Sequence, residues 1–262
     1  MSKLFATERR QKIMEMLTKN YRITVRDLAH EMNVSEVTLR TDLKEMEKEG
    51  LLQRTHGGAV LSELNGNEIT FSTREKKNKD AKVKIAKLAI DLIEDGNCIL
   101  LDASSTALEL ARLLKDTGLK LTVVTSGIYT ALELRENTDL TVILLGGVVR
   151  PGSSSLEGIL GANVLDQIHV DLMFTSANGF TLKTGLTDFN VYEVELKRLL
   201  VKKADHIIAL VDHSKINKSS ISSFAAVKDL SYFISDVPLS LEMDKYFAEN
   251  GVKTLSPVSR ES

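Results

Sequence analysis

The chain has 262 residues, enough for two domains and a sizeable core, and its make-up, 43% hydrophobic and 27% charged, is that of an ordinary soluble protein. Its single cysteine, Cys98, excludes an internal disulfide and fits a reducing compartment. Net charge is −2, yet residues 1–82 carry +3 and the remainder −5, so a modestly basic end is joined to an acidic body. No apolar run is long enough to span a bilayer, and Met1-Ser2-Lys3-Leu4-Phe5 leads into polar residues rather than a signal peptide's apolar core. A cytoplasmic protein is expected, and no cofactor or metal motif stands out.

Thr7 to Lys19 reads as a first helix capped by Thr7, with Ile13, Met14 and Leu17 inward. Arg9, Arg10 and Lys12 face phosphates or solvent. Tyr21-Arg22 begins a connector that could pair with a later hairpin. Ile23 to Met32 predicts a short helix capped by Thr24, with Leu28, Ala29 and Met32 inward. Asn33-Val34 turns, and Ser35 caps a second helix in which Val37, Leu39, Leu43 and Met46 form the inward stripe. Glu36, Thr38, Arg40, Thr41 and Lys44 fall on the other side. Gly50 suits a helix end. Leu51-Leu52-Gln53 then predicts a strand, and Arg54-Thr55-His56-Gly57-Gly58 a tight turn. Two helices across so short a turn, followed by a small basic hairpin, describe a winged helix-turn-helix, with the second helix in the major groove and the wing on the backbone or minor groove. An amphipathic surface helix with a glycine-rich turn is the plainer alternative.

Val34-Ser35, Thr38-Leu39-Arg40, Asp42-Leu43 and Arg54-Thr55-His56-Gly57-Gly58-Ala59 resemble the DeoR family of bacterial repressors, whose N-terminal domain carries VSxxTxRxDL and a wing ending R-x-HGGA. The resemblance implies operator contacts from Ser35, Glu36, Thr38, Arg40, Thr41, Lys44, Arg54, His56 and Gly57. Thr41 departs from the family's usual second arginine, which removes a cationic contact.

Residues 1–60 are therefore the expected DNA-binding domain and 61–79 a linker. Its Asn65-Gly66-Asn67 and its basic run through Arg74, Lys76, Lys77 and Lys79 describe either a mobile spacer or a DNA-tracking arm. From residue 80 to 257, helices alternate with apolar strands, the pattern of an α/β domain with a largely parallel sheet. Helices are expected over 81–94, 108–114, 128–134, within 156–167, and over 191–203 and 241–250. Strands are expected over 98–101, 121–124, 140–145, 170–176, 206–211 and 232–234.

Open α/β sheets bind ligands beyond the carboxyl ends of their strands. Five post-strand loops qualify. Asp102-Ala103-Ser104-Ser105-Thr106 offers free N–H groups and hydroxyls for a phosphate, or a plain cap cluster. Thr125-Ser126-Gly127 repeats the arrangement. In Gly146-Gly147-Val148-Val149-Arg150, Gly147 permits close approach and Arg150 could clamp an oxyanion, or face solvent. Asn178 and Gly179 could read a sugar hydroxyl or shape a turn, and Glu193 opens a helix. Lys215 could neutralise a phosphate. Taken together they favour an anionic polyol.

This half, at Leu101-Asp102 through Thr106, Val124-Thr125, Leu145-Gly146-Gly147, Gly185-Leu186-Thr187, Glu193 and Ser214-Lys215, is similar to the DeoR family's C-terminal effector domain. It departs at Ser104, Ser126 and Thr175-Ser176-Ala177. The resemblance implies a fold similar to ribose-5-phosphate isomerase, a phosphorylated sugar or polyol as effector, and a homo-oligomer on double-stranded operator DNA. The expected function is a regulator of a carbohydrate operon released by its effector. The alternative is an isomerase-like enzyme with an appended DNA-binding module, for which no convincing catalytic pair can be placed.

Overall fold

The computed structural model describes residues 6–20, 22–48, 51–61, 71, 74–149 and 154–257. Tyr21, Gly50, Asn65 to Asn67 and Arg150 lie outside them. The chain divides into two compact units, with the second beginning at Thr73.

The first unit runs α1 (Ala6–Asn20), β1 (Arg22–Thr24), α2 (Val25–Met32), α3 (Glu36–Lys48), β2 (Leu52–Thr55) and β3 (Gly58–Leu61). Thr24 Oγ1 accepts the Asp27 N–H at 3.1 Å and starts α2. Asn33, at φ 51°, ends it in the left-handed region that Asn tolerates. Ser35 Oγ accepts the Thr38 N–H at 3.2 Å and starts α3. Leu28, Met32, Leu39, Leu43 and Met46 join Ile13 and Leu17 in one core. The antiparallel sheet has the order β1-β3-β2, so the connector does pair with the wing.

Four local readings change. Thr7 lies inside α1, which begins at Ala6, rather than before it as a cap. Val37 is 74% exposed rather than inward. It lies two residues, about 200° of helix, from Leu39, so the buried stripe passes it by. Arg9 does not face solvent: its Nε and Nη2 donate to Asp42 Oδ2 and Oδ1 at 2.7 and 3.2 Å, which clasps α1 to α3. Arg54 and Thr55 belong to β2, and the turn is confined to His56 and Gly57.

The second unit is built on seven parallel strands in the order β13-β12-β10-β7-β4-β5-β6. These are β4 (Cys98–Leu101), β5 (Leu121–Thr125), β6 (Leu140–Leu144), β7 (Val170–Thr175), β10 (Ala204–Leu210), β12 (Tyr232–Ile234) and β13 (Lys253–Leu255). Alternate side chains fill two cores. Ile99 and Leu101 face one side with α4 (Lys79–Ile90), α5 (Ser105–Leu114) and α6 (Ile128–Leu134). Leu100, Met173 and Ala209 face the other with α7 (Val191–Val201) and α8 (Leu241–Glu249), where Phe180, Phe233 and Phe247 meet at centroid distances of 4.6 to 5.7 Å. A small antiparallel sheet, β8 (Gly179–Thr181), β9 (Gly185–Asp188) and β11 (Ser222–Ala225), lies in the order β11-β9-β8. Gly185, at φ 66°, sits so close to Ala225 that a Cβ would meet its carbonyl oxygen at 2.1 Å.

The helix expected within 156–167 is reduced to a 3-10 turn, Ala162–Asp166. The residues before it are committed elsewhere: Leu156 N–H donates to Ser126 O and Glu157 bridges to Val148, while the Gly161 backbone packs on Gly146. Residues 74–76, placed with the linker by sequence, are helical and belong to the second unit.

Candidate effector pocket and nucleic-acid interface

Strands β4, β5 and β6 step outward one way, and β7, β10, β12 and β13 the other. The order therefore switches between β4 and β7, and the loops that follow those two strands must diverge. That crevice is where an open parallel sheet receives a ligand.

A pocket lies there. Ala103 to Thr106, after β4, form one wall, and Ser176 to Asn178, after β7, the second. Asp212, Ser214 and Lys215, after β10, contribute a third, and Arg74, Lys77, Asn78 and Lys82 cover the side next to it. Asp188, Glu193 and Lys197 complete the lining. The crevice is open to solvent at its mouth, and the space between its walls, solvent at the mouth included, is about 550 Å3.

The floor is an ionic network. Lys197 Nζ donates to Asp188 Oδ2 at 3.0 Å and to Ser176 O at 2.9 Å, and lies 3.2 Å from Asp102 Oδ2. Burial disfavours its charge, but Asp188, Asp102 and Glu193 more than offset that, and its pKa is raised. Burial likewise opposes ionisation of Asp188, and Lys197 overcomes it, so the carboxyl falls below its usual range. Asp102, fully buried, accepts from Ser104 N, Ser176 N and Thr175 Oγ1 at 3.0, 3.0 and 2.7 Å. Glu193 accepts from Ser155 Oγ at 2.9 Å, and burial followed by repulsion from Asp188 pushes its carboxyl up. Asn178 Nδ2 donates to Asp188 Oδ1.

The wall beside Asp212 is cationic. Lys82 is 4% exposed, and burial lowers its pKa to about 8, with Asp212 raising it and Lys215 and Arg74 lowering it. Lys215 is lowered by burial and by Arg74 and Lys77, against Asp212. On both, burial outweighs the attraction of Asp212, and an anion entering the pocket would be held by charge-assisted hydrogen bonds.

Among the effector residues expected from sequence, Ser104, Ser105, Thr106, Asn178, Glu193 and Lys215 meet in this pocket, with Asp102 beneath it. Thr125, Ser126, Gly147 and Gly179 do not line it. Thr125 Oγ1 accepts Gly127 N–H at 3.0 Å and Ser126 O accepts Leu156 N–H. A Cβ on Gly147 would lie 2.8 Å from Glu157 O, and one on Gly179 would lie 2.6 Å from Lys218 O, so those two serve close backbone packing. Sequence reasoning gave no place in the effector site to Arg74, Lys77, Asn78, Lys82, Ser176 or Lys197. A signal existed for two of them: Lys82 shares the stripe of Ile85, Ala86 and Ala89, and Lys197 falls among Val194, Leu196 and Leu200, where a cation needs a buried partner.

In the first unit, Glu36, Val37, Arg40, Thr41 and Lys44 are exposed on α3. Arg40 pairs with Glu36 at 3.2 Å, an exposed i,i+4 pair that a phosphate could outcompete. Ser35 and Thr38 bond each other's hydroxyls at 2.8 Å as part of the cap, and Thr41 Oγ1 donates to Val37 O. His56 and Gly57 are exposed at the wing tip. Arg54 is half-buried, its backbone N–H held by Glu47 Oε1 at 2.8 Å.

Both parts of the chain match known protein domains. Residues 9–64 match the DeoR-like helix-turn-helix domain, and residues 77–237 the DeoR C terminal sensor domain. The chain is 44% identical over 249 residues to the HTH-type transcriptional regulator GolR of Listeria innocua, covering 95% of this chain and 98% of that one. It is 30% identical over 252 residues to the HTH-type transcriptional repressor GlcR of Bacillus subtilis, covering 96% of each. A solved ribose 5-phosphate isomerase A from Methanocaldococcus jannaschii overlays 53% of this chain and 55% of its own, at 22% identity and a TM-score of 0.41. With both of its domains matched, and a relative at that identity over nearly its whole length, the chain belongs to the DeoR family of DNA-binding transcriptional regulators.

Proposed function

We propose that this regulator represses a carbohydrate or polyol operon and leaves its operator when a phosphorylated sugar or polyol fills the pocket at the sheet's switch point. The observation that carries the reading is the pocket's polarity. Arg74, Lys77, Lys82 and Lys215 supply cations suited to a phosphoryl group, and Asn178, Asp188 and Glu193 in the same lining supply groups suited to hydroxyls. The DNA half acts as a homo-oligomer, because a net charge of +3 over residues 1–82 gives each protomer little electrostatic hold on DNA. Sedimentation or light scattering of the full chain checks the assembly.

The sensor binds without turnover. Asp102 and Asp188 both lie on the Lys197 ammonium, which leaves neither as a free base. An assay for isomerisation of pentose and hexose phosphates checks this, with no product expected.

The effector can shift DNA affinity only by its differential affinity for the two states of the protein. Mobility-shift titration of the operator against a panel of sugar phosphates, each paired with its unphosphorylated sugar, tests the reading. At least one phosphate ester should weaken the complex while its parent sugar does not. If the panel leaves the complex untouched, the sensor assignment fails.

A further inference from the structure

The segment that leads into the second unit is itself part of the pocket. That unit begins at Thr73, and the two family matches end at residue 64 and resume at 77, so Arg74 falls in neither. Arg74, Lys77 and Asn78 nevertheless line the pocket with Ser104 and Lys215.

Their placement is held from three directions. Lys82 Nζ donates to the carbonyl oxygens of Arg74 and Lys77, the latter at 2.7 Å. Asn78 Nδ2 donates to Asp212 Oδ1 at 3.1 Å, on the loop after β10. Glu75 accepts from Arg112 Nη2 at 2.5 Å, on α5. An ammonium has three donors, and two of those on Lys82 hold this segment while the group lines the pocket. Arg74, Lys77, Lys82 and Lys215 oppose one another's charge, and Asp212, Asp188 and Glu193 offset that in part. A phosphoryl group among them replaces repulsion with charge-assisted bonds and draws the segment inward.

We propose that Arg74 and Lys77 are ligand-binding residues, and that a bound phosphoryl group fastens residues 74–82 to the pocket, so that occupancy reaches the DNA-binding unit through the chain segment that joins the two. The proposal rests on the phosphate-ester reading above and adds its route. The segment is tied both to the ligand and, covalently, to the unit that must leave DNA.

The test is amide hydrogen exchange on the full-length protein, titrated with inorganic phosphate against chloride at equal ionic strength, and with each sugar phosphate of the panel. Phosphate should slow exchange over residues 74–82 about tenfold or more. Arg74→Gln and Lys77→Gln, made separately, should each need about tenfold more ligand for the same protection and for release of DNA. If ligand protects residues 103–106 and 213–215 but not 74–82, the route is overturned while the sensor assignment stands. The same holds if both variants release DNA at wild-type ligand concentrations. If neither region is protected by phosphate or any ester, both fail.

Discussion

Replacing Lys197 with methionine isolates the ionic floor of the pocket. Methionine keeps the length and most of the volume of the side chain but removes the charge lying 3.2 Å from Asp102 and 3.0 Å from Asp188. Breaking a buried ion pair from one side typically costs about 3–5 kcal/mol, because the remaining charge is left in a poor solvent. Two carboxylates are stranded here. Asp102 keeps three hydrogen bonds from Ser104, Ser176 and Thr175, which favours the low end. We expect a loss of about 3 kcal/mol, or roughly 6–12 °C in the melting temperature of a domain this size.

The pH dependence carries a sign. In the wild type, Lys197 overcomes burial and holds the Asp188 pKa below its usual 3.8, so this stabilisation is present above that value and is lost as pH falls through the folded pKa. In the variant the largest charge opposing burial is gone, so the Asp188 pKa rises. The folded variant then takes up protons more readily than the unfolded chain, and it gains stability as pH falls from about 8 towards 5. Calorimetric melts of both proteins across that range should show the gap narrowing towards low pH. Adding Asp188→Asn to the variant should recover part of the loss. Equal stability at pH 8, or a gap that does not change with pH, would refute the reasoning.

The remaining predictions concern both units. Arg40→Ala should leave folding intact, since among the described residues Arg40 pairs with exposed Glu36 on its own helix, and should weaken operator binding by about 1–3 kcal/mol, or roughly 5- to 150-fold, in a mobility-shift titration. Arg54→Ala should act in the same direction on the wing. Gly58→Ala should disorganise the wing, because its Cβ would fall 2.0 Å from Ile23 O in the β1–β3 pairing; a lower melting temperature and lost DNA binding are expected together. Burial holds Lys82 near a pKa of about 8, against 10.5 in the unfolded chain. Over that interval the unfolded state binds the extra proton, so the Lys82 contribution to stability rises with pH. Effector affinity should fall over the same interval as the pocket loses a cation, and isothermal titration at pH 7 and pH 9 checks it.

The helix-turn-helix was legible in the sequence because its information is local. Thr24 and Ser35 cap helices through bonds three residues long, and Leu39, Leu43 and Met46 repeat at the helical period, so no distant partner is needed to place them. The alternation of helices with apolar strands likewise gave the α/β class, and the loops after β4, β7 and β10 were found as pocket walls by the carboxyl-end rule. Short elements escaped: β8, β11 and β13 have three or four residues each, too few for a period to register, and they exist because neighbouring strands pair with them.

Strand order was also invisible to the sequence, and it decided which loops meet. It gathered Ser104, Asn178 and Lys215 and left Thr125 and Ser126 to bind their own surroundings. The ion network of Asp102, Asp188 and Lys197 spans up to 95 residues of chain, and no local pattern announces a charge that is stable only beside partners so distant in sequence. The basic run at Arg74 to Lys79 is the sharpest case. As a sequence it reads as a mobile spacer or a DNA-tracking arm, because isolated charges prefer water or phosphates, but the fold sets Arg74 and Lys77 beside a pocket and uses the Lys82 ammonium to hold them there. Composition and period determined what kinds of element this chain forms, and its motif residues carried the resemblance to DNA-binding regulators. Only the tertiary packing, by placing buried charges within reach of one another, decided where the candidate pocket lies and which residues line it.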